Sequence, residues 1–185
     1  MVFKSSKGFT LIEIVIVIVI LSIISAISIK FLVDSLRIYT MTVNQKTLFD
    51  EGKLALERMC RDVRDARSLN TPAAGASGST LRFTRNNATA QDSALEDIRF
   101  ILSGTTLRKR KSLPSVTLIN LASNVSTFTV TRGAAGVNEL TIDLTLSLTS
   151  GERVTLRTKV YPKNLLAEST TYKNYFYNWK EELSS

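Results

Sequence analysis

The chain has 185 residues, of which 44% are hydrophobic and 22% charged, and its formal net charge is +8 at pH 7. This length fits one domain with an appendage and excludes a large multidomain enzyme, while the composition excludes disordered, collagen-like and polytopic membrane chains. The sequence has no histidine and a single cysteine, Cys60, which excludes imidazole chemistry and an internal disulfide. No catalytic or metal-ligating pattern is present, so we expect neither enzymatic activity nor a cofactor or metal.

An apolar segment begins shortly after the N-terminus. Lys4 and Lys7 precede it, and residues 14–21 are eight consecutive aliphatic residues. At the rise of an α-helix, residues 9–29 extend roughly 31 Å, which is close to the hydrocarbon thickness of a bilayer. We predict a single transmembrane helix over residues 9–30. The preceding lysines favour an N-terminus in the cytoplasm and a C-terminal body on the other side of the membrane.

One acidic residue, Glu13, lies inside this apolar segment. An ionised carboxylate within a bilayer costs roughly 2.5 to 3.5 kcal/mol on insertion scales, so a positively charged partner is expected. Cleavage after Gly8 would create one, because it would leave a free amine on Phe9. The alternative is a secretory signal cut after Ser28, with Ala26 at the minus-three position, but that interpretation leaves Glu13 unexplained.

The residues from Lys7 to Glu13 (KGFTLIE), followed by the aliphatic run, resemble the prepilin signature of type IV pilins and type II secretion pseudopilins. The resemblance implies that residues 1–8 are a leader, which a prepilin peptidase removes between Gly8 and Phe9. The same enzyme is expected to methylate the amine of Phe9. The resemblance also implies that Glu13 neutralises the Phe9 amine of an adjacent subunit during filament assembly.

Residues 31–69 continue as an amphipathic helix in our prediction. One stripe is small and apolar, and the opposite stripe is charged. The apolar stripe consists of Leu48, Gly52, Ala55, Met59, Val63 and Ala66. We expect this stripe to pack against the chain's own sheet, and a coiled coil with another protein is the alternative.

The remainder of the chain has the pattern of a β-sheet head. Residues 70–80 are rich in turn formers and predict a linker, and apolar residues at period two predict short strands over residues 81–164. Residues 165–185 are an aromatic-rich tail, which we expect to pack on the head or to be mobile, and contact with another minor subunit is the alternative. The predicted fold class is therefore α+β, with a long N-terminal helix packed on an antiparallel sheet, as in pilins.

This order of elements resembles minor pilins and minor pseudopilins, notably the J-type pseudopilin and the W-type minor pilin. Glu13 argues against the K-type pseudopilin, and the single cysteine argues against a major pilin with a disulfide-closed loop. The resemblance implies a structural subunit that primes or caps a type II secretion pseudopilus or a type IV pilus. The implied partners are the peptidase and methyltransferase, other pilin or pseudopilin subunits, the membrane and the inner-membrane assembly platform, with the head in the periplasm.

The densest basic run of the head is Arg108, Lys109, Arg110 and Lys111. In a strand these side chains alternate between the two faces, and a solvated edge that discourages aggregation is the favoured interpretation. The alternative is contact with DNA or another anion. That alternative would make the protein a DNA-uptake or adhesion minor pilin, and nucleic acid is not the favoured partner.

Overall fold

The computed structural model describes residues 8–112 and 115–165, and the chain divides into two compact units, Met1–Val43 and Asn44–Ser185. The basic leader, with Lys4 and Lys7, and most of the aromatic tail lie outside the described residues. The described part contains one helix and nine strands. They are α1 (Leu11–Arg64), β1 (Ala66–Thr71), β2 (Ser77–Gly78), β3 (Thr80–Arg85), β4 (Asp97–Ser103), β5 (Thr106–Lys111), β6 (Thr117–Ala122), β7 (Val125–Arg132), β8 (Leu140–Ser147) and β9 (Arg153–Val160).

The first unit consists of the beginning of α1 and the residues just before it. Within the described part of the chain, α1 is the helix that is long and apolar enough to cross a membrane, and its most apolar stretch has no buried residue. The hydroxyls of Ser22 and Ser28 donate hydrogen bonds to the carbonyl oxygens of Val19 and Ile24, at 2.7 and 2.9 Å. These polar groups are therefore satisfied within the helix, as an apolar surrounding requires.

In the second unit, the last turns of α1 pack on the sheets through the predicted stripe. Every member of that stripe is buried, and Leu56 and Asp62 join it on the buried face. Gly52 is a point of close approach, since a Cβ atom there would lie 2.8 Å from Cδ1 of both Leu146 and Leu156. The packing of α1 against its own sheet is thus confirmed.

The head contains two antiparallel sheets, where the sequence indicated one. Sheet 1 has five strands in the order β1-β3-β4-β5-β6, and sheet 2 has four in the order β2-β7-β8-β9. Their buried faces and the helix stripe contribute to one hydrophobic core, which includes Phe83, Phe100 and Phe128. Period-two patterning predicts strands and buried faces, but it carries no information on which strands pair. The α+β class with a long N-terminal helix is confirmed.

The end of the helix differs from the prediction. We expected helix to residue 69 and a linker from 70 to 80, but α1 ends at Arg64 and residues 66–71 form β1, which pairs with β3. Ala66 would be buried both as the next residue of the helix stripe and as a residue of a strand. The apolar pattern of the sequence therefore could not distinguish helix from strand at this point. The helix ends where Asp65 accepts hydrogen bonds from the backbone and side chain of Asn87, at 3.0 and 2.7 Å.

Replacing Gly52 by valine is expected to destabilise the head by about 1 to 3 kcal/mol, because two added methyl groups must displace Leu146 and Leu156. Replacement by alanine should cost much less, since the helix propensity of alanine offsets a displacement of two flexible side-chain ends. Scanning calorimetry of the detergent-solubilised chain measures both effects. Equal unfolding midpoints for wild type and Gly52→Val would contradict the close approach of α1 to sheet 2.

Candidate processing and assembly site

The predicted cleavage junction lies just outside the first turn of α1. Gly8 and Phe9 are both exposed and non-helical, and 77% of the Phe9 surface is accessible. A Cβ atom added to Gly8 would meet no heavy atom within 4 Å. The fold of the described residues therefore leaves the Gly8–Phe9 peptide bond open to an enzyme and does not itself require glycine at position 8.

Thr10 caps the helix, and Glu13 lies in its first turn. The carbonyl oxygen of Thr10 accepts hydrogen bonds from the backbone N–H groups of Glu13 and Ile14, at 3.1 and 3.3 Å. The Thr10 hydroxyl oxygen also accepts from the Glu13 N–H, at 3.3 Å, which is the arrangement of a helix N-cap. A carboxylate in the first turn is favoured by the helix dipole, so Glu13 stabilises the start of the helix that it belongs to.

The surface that follows Glu13 is apolar on every side of the helix. The aliphatic side chains from Ile14 to Leu21 are all exposed, and so are those further along at Ile23, Ile24, Ile27 and Ile29. An exposed apolar surface of this extent requires lipid or protein contacts beyond the described chain. Three features therefore coincide within a few residues: an accessible peptide bond, a capped helix start with a carboxylate, and a surface suited to a bilayer or to other apolar helices.

Residues 3–29 match the family model described as the prokaryotic N-terminal methylation motif. The match supports a type IV prepilin-like family for this N-terminal region. This confirms the resemblance inferred from residues 7–13, and with the apolar helix it fits anchoring in a membrane. The curated proteins provide no match to the sequence. The support for this family therefore rests on the N-terminus and the α+β layout.

In the head, the basic run lies on β5 and its side chains alternate between the faces of sheet 1. Lys109 and Lys111 are buried beneath the sheet, whereas Arg110 is exposed and Arg108 is half-buried on the opposite face. The two lysines are thus withdrawn from any external anion. The structure keeps only Arg108 and Arg110 of the predicted run in a position to meet a partner.

The buried lysines belong to an ion cluster beneath sheet 1 that the sequence analysis missed. Lys109 Nζ lies 2.8 Å from Asp62 Oδ2 and 2.6 Å from Asp92 Oδ2. Arg85 Nη1 lies 3.0 Å from Asp62 Oδ1 and 2.6 Å from Asp92 Oδ2. Lys111 Nζ lies 3.0 Å from Asp92 Oδ1. Asp92, on the connection between β3 and β4, therefore pairs with three cations.

Asp65 extends the cluster to the end of the described chain. Its carboxylate lies 3.4 Å from Arg85 Nε and accepts a hydrogen bond of 2.8 Å from the side-chain amide of Asn164. The backbone N–H of Lys163 donates to the carbonyl oxygen of Arg64 at 2.9 Å. The cluster thus joins the end of α1, the β3–β4 connection, β5 and the segment after β9 through charged and polar contacts.

The electrostatics of this cluster keep Asp92 ionised. Three acids, Asp62, Asp65 and Asp92, face three bases, Arg85, Lys109 and Lys111. Burial by itself raises the pKa of Asp92, but hydrogen bonds from Lys109 and Lys111 and the charge of Arg85 outweigh burial and hold that pKa below its usual value. Within residues 8–112 and 115–165, no group of three His, Cys, Asp or Glu side chains is placed to hold a metal ion. The cluster is suited to holding the head together.

Proposed function

We propose that the protein is a minor pilin or minor pseudopilin, a structural subunit that primes or caps a type II secretion pseudopilus or a type IV pilus. The observation that carries the proposal is the exposed Gly8–Phe9 junction, placed immediately before a capped helix whose first turns contain Glu13 and an exposed aliphatic run. Cleavage at this junction and N-methylation of Phe9 would convert a membrane-anchored precursor into an assembly subunit. Neither this processing nor the assembly that follows would require catalysis by the protein itself.

Assembly exchanges one apolar surrounding of the N-terminal helix for another. The aliphatic surface of the helix, exposed in the isolated chain, would contact lipid before assembly and other subunits afterwards. Because both surroundings have a low dielectric constant, the Glu13 carboxylate requires a cation in each of them. A Phe9 amine from a neighbouring subunit would supply that cation in a filament and would also fix the axial position of the new subunit.

The proposed location follows from the same residues. The helix would cross the bacterial inner membrane once, with its N-terminus in the cytoplasm, where lysines of the leader favour it, and with the head in the periplasm. The partners would be the prepilin peptidase and methyltransferase, the inner-membrane assembly platform and other pilin or pseudopilin subunits. The absence of a second cysteine supports a minor subunit over a major pilin whose C-terminal loop is closed by a disulfide.

The mass of the mature protein tests the processing step. We expect the chain purified from membranes of a host that contains the peptidase to lack residues 1–8 and to carry one additional methyl group on Phe9. Gly8→Val should block this cleavage, and because position 8 has open space around it, the substitution should not disturb the fold. Intact-mass spectrometry distinguishes the outcomes. Cleavage after Ser28 would contradict the proposal and favour an ordinary secretory signal.

The DNA-uptake or adhesion alternative loses support from the position of its residues. Two of the four basic side chains that motivated it, Lys109 and Lys111, pair with buried aspartates. Arg108 and Arg110 alone do not single out nucleic acid. We therefore retain the assembly subunit as the one proposed function.

A further inference from the structure

The outer face of sheet 1 carries arginines at directly opposed positions of three neighbouring strands. Arg82 of β3 pairs in register with Arg99 of β4, and Arg99 pairs with Arg110 of β5. Arg108 lies two residues before Arg110 on the same face of β5. We call these four residues, Arg82, Arg99, Arg108 and Arg110, the arginine row.

Among the described residues, only Arg82 of the arginine row has a counter-charge. Arg82 forms a two-pronged pair with Asp97, with Nε and Nη2 each 2.9 Å from a carboxylate oxygen. In the part of the chain that the structure describes, Arg99, Arg108 and Arg110 form no ion pair, and Arg108 Nε is shielded from solvent without a hydrogen-bond partner. Like charges directly opposite one another destabilise a sheet, so the fold does not account for the arginines at positions 99, 108 and 110.

Protection of a sheet edge does not account for the row either. Charged residues that prevent aggregation are placed on edge strands, but β3, β4 and β5 are interior strands of sheet 1. On the β5 side, the row adjoins the edge strand β6, whose residues 117–122 include no charged side chain. Leu118 lies opposite Arg110 and is 52% exposed, and Val116 is 62% exposed. The row therefore borders an uncharged strand edge with accessible aliphatic groups.

We propose that the arginine row and the adjoining edge of β6 bind an extended acidic segment of a partner protein. Carboxylates of the segment would form paired hydrogen bonds with the guanidinium groups, and its apolar side chains would contact Val116 and Leu118. Its backbone could pair with the open edge of β6, as in strand addition. This inference goes beyond the assembly role and does not depend on processing at Gly8.

The composition of the surface favours a protein over a nucleic acid. Interfaces between proteins combine arginine with apolar contact area. The aliphatic side chains of Val116 and Leu118 beside the row would make no favourable contact with a phosphate backbone. Surfaces that bind single-stranded nucleic acid stack bases on aromatic side chains. The aromatic residues of β3 and β4, Phe83 and Phe100, are instead buried in the core.

Binding of labelled poly-L-glutamate to the detergent-solubilised full chain tests the proposal. The variant Arg99→Ser/Arg110→Ser removes two charges from the row, and the control Arg58→Ser/Arg153→Ser removes two exposed charges elsewhere. We expect the first variant to bind about tenfold more weakly and the control to bind within about twofold of wild type, because two paired hydrogen-bonding sites are lost only from the row. Arg99→Lys/Arg110→Lys should give an intermediate loss, since lysine keeps the charge but not the paired geometry.

Competing ligands and a stability measurement complete the test. Duplex DNA and vesicles containing phosphatidylglycerol are titrated in parallel, and tighter binding of either one than of poly-L-glutamate overturns the proposal. Equal weakening in the row variant and the control variant also overturns it, because binding would then follow net charge alone. The row variant should unfold at the same temperature as wild type or higher, since it relieves repulsion between opposed arginines; a lower unfolding temperature would count against the proposal.

Discussion

We expect the replacement of Glu13 by valine to leave cleavage after Gly8 intact and to prevent the mature subunit from joining a filament. Cleavage persists in this expected result because the junction lies outside α1 and its accessibility does not depend on the Glu13 side chain. Assembly fails because the Phe9 amine of the neighbouring subunit would enter an apolar interface without a counter-charge. If the pair contributes about 2 kcal/mol, its loss lowers subunit association roughly thirtyfold.

Two matched substitutions separate the charge of Glu13 from its size and from general effects on the helix. Glu13→Gln keeps the shape of the side chain and should impair assembly nearly as much as valine does. Asp34→Asn removes a carboxylate further along the same helix and should assemble as wild type does. The mass of the mature chain reports cleavage, and secretion or piliation of the host reports assembly. Unimpaired assembly of both Glu13 variants would refute the amine-pairing role.

The prepilin-like motif at the N-terminus was predictable because the residues that define it lie close together in sequence. The basic leader, the small residue at the junction and the carboxylate at the start of an aliphatic run lie within a few positions of each other. Apolar continuity over residues 14–21 is visible without knowledge of any tertiary contact. The helix start is likewise local, since Thr10 caps the turn that contains Glu13.

The head was predictable only at the level of its buried faces. The stripe from Leu48 to Val63 is buried as its periodicity predicts, and most period-two strands bury their apolar face, but Val116 and Leu118 are exposed. The pairing of β1 with β3 and the division into two sheets depend on contacts between residues distant in sequence. The end of α1 at Arg64 depends on Asn87 and Asn164, which satisfy Asp65 from two other segments.

The ion cluster illustrates the same limit and also a signal that was overlooked. Asp62 occupies a position between Met59 and Val63 on the buried side of the helix, and an acid there requires a buried cation. Lys109 and Lys111 continue the inward-facing alternation that starts at Leu107. Each signal indicated a buried charge, but neither could identify its partner, because Asp92 lies on an irregular connection whose position no periodicity predicts.

Replacing Asp92 by asparagine is expected to destabilise the head by about 3 kcal/mol, because three buried cations lose a shared carboxylate. That is a large part of the stability of a typical domain. Asp143→Asn, which breaks an exposed pair with Arg157, should leave the unfolding temperature close to that of wild type. Scanning calorimetry of the full chain in detergent provides the comparison, and similar losses in the two variants would contradict a structural role for the cluster.

Removing one cation together with Asp92 tests whether unpaired charge is the cause. Lys111 forms its ion pair with Asp92, so adding Lys111→Met to Asp92→Asn leaves one fewer buried charge without a counter-ion. The double variant should therefore be more stable than Asp92→Asn alone, as expected when a buried pair is replaced rather than broken. A double variant less stable than Asp92→Asn would show that Lys111 stabilises the head mainly by packing or through its hydrogen bond to the carbonyl oxygen of Gln91.

The pH dependence of stability follows from the direction in which the Asp92 pKa is shifted. Because the folded state holds this pKa below the usual aspartate value of about 3.9, the carboxylate stabilises the fold fully above that pH. The stabilisation is lost as the pH falls from about 4 through the lower pKa of the folded state, since the unfolded chain then binds the proton first. The wild-type unfolding temperature should fall more steeply below about pH 4 than that of Asp92→Asn. Parallel curves of unfolding temperature against pH for wild type and Asp92→Asn would contradict this prediction. They would mean that the Asp92 carboxyl binds protons equally in the folded and unfolded states, and that the three cations do not lower its pKa.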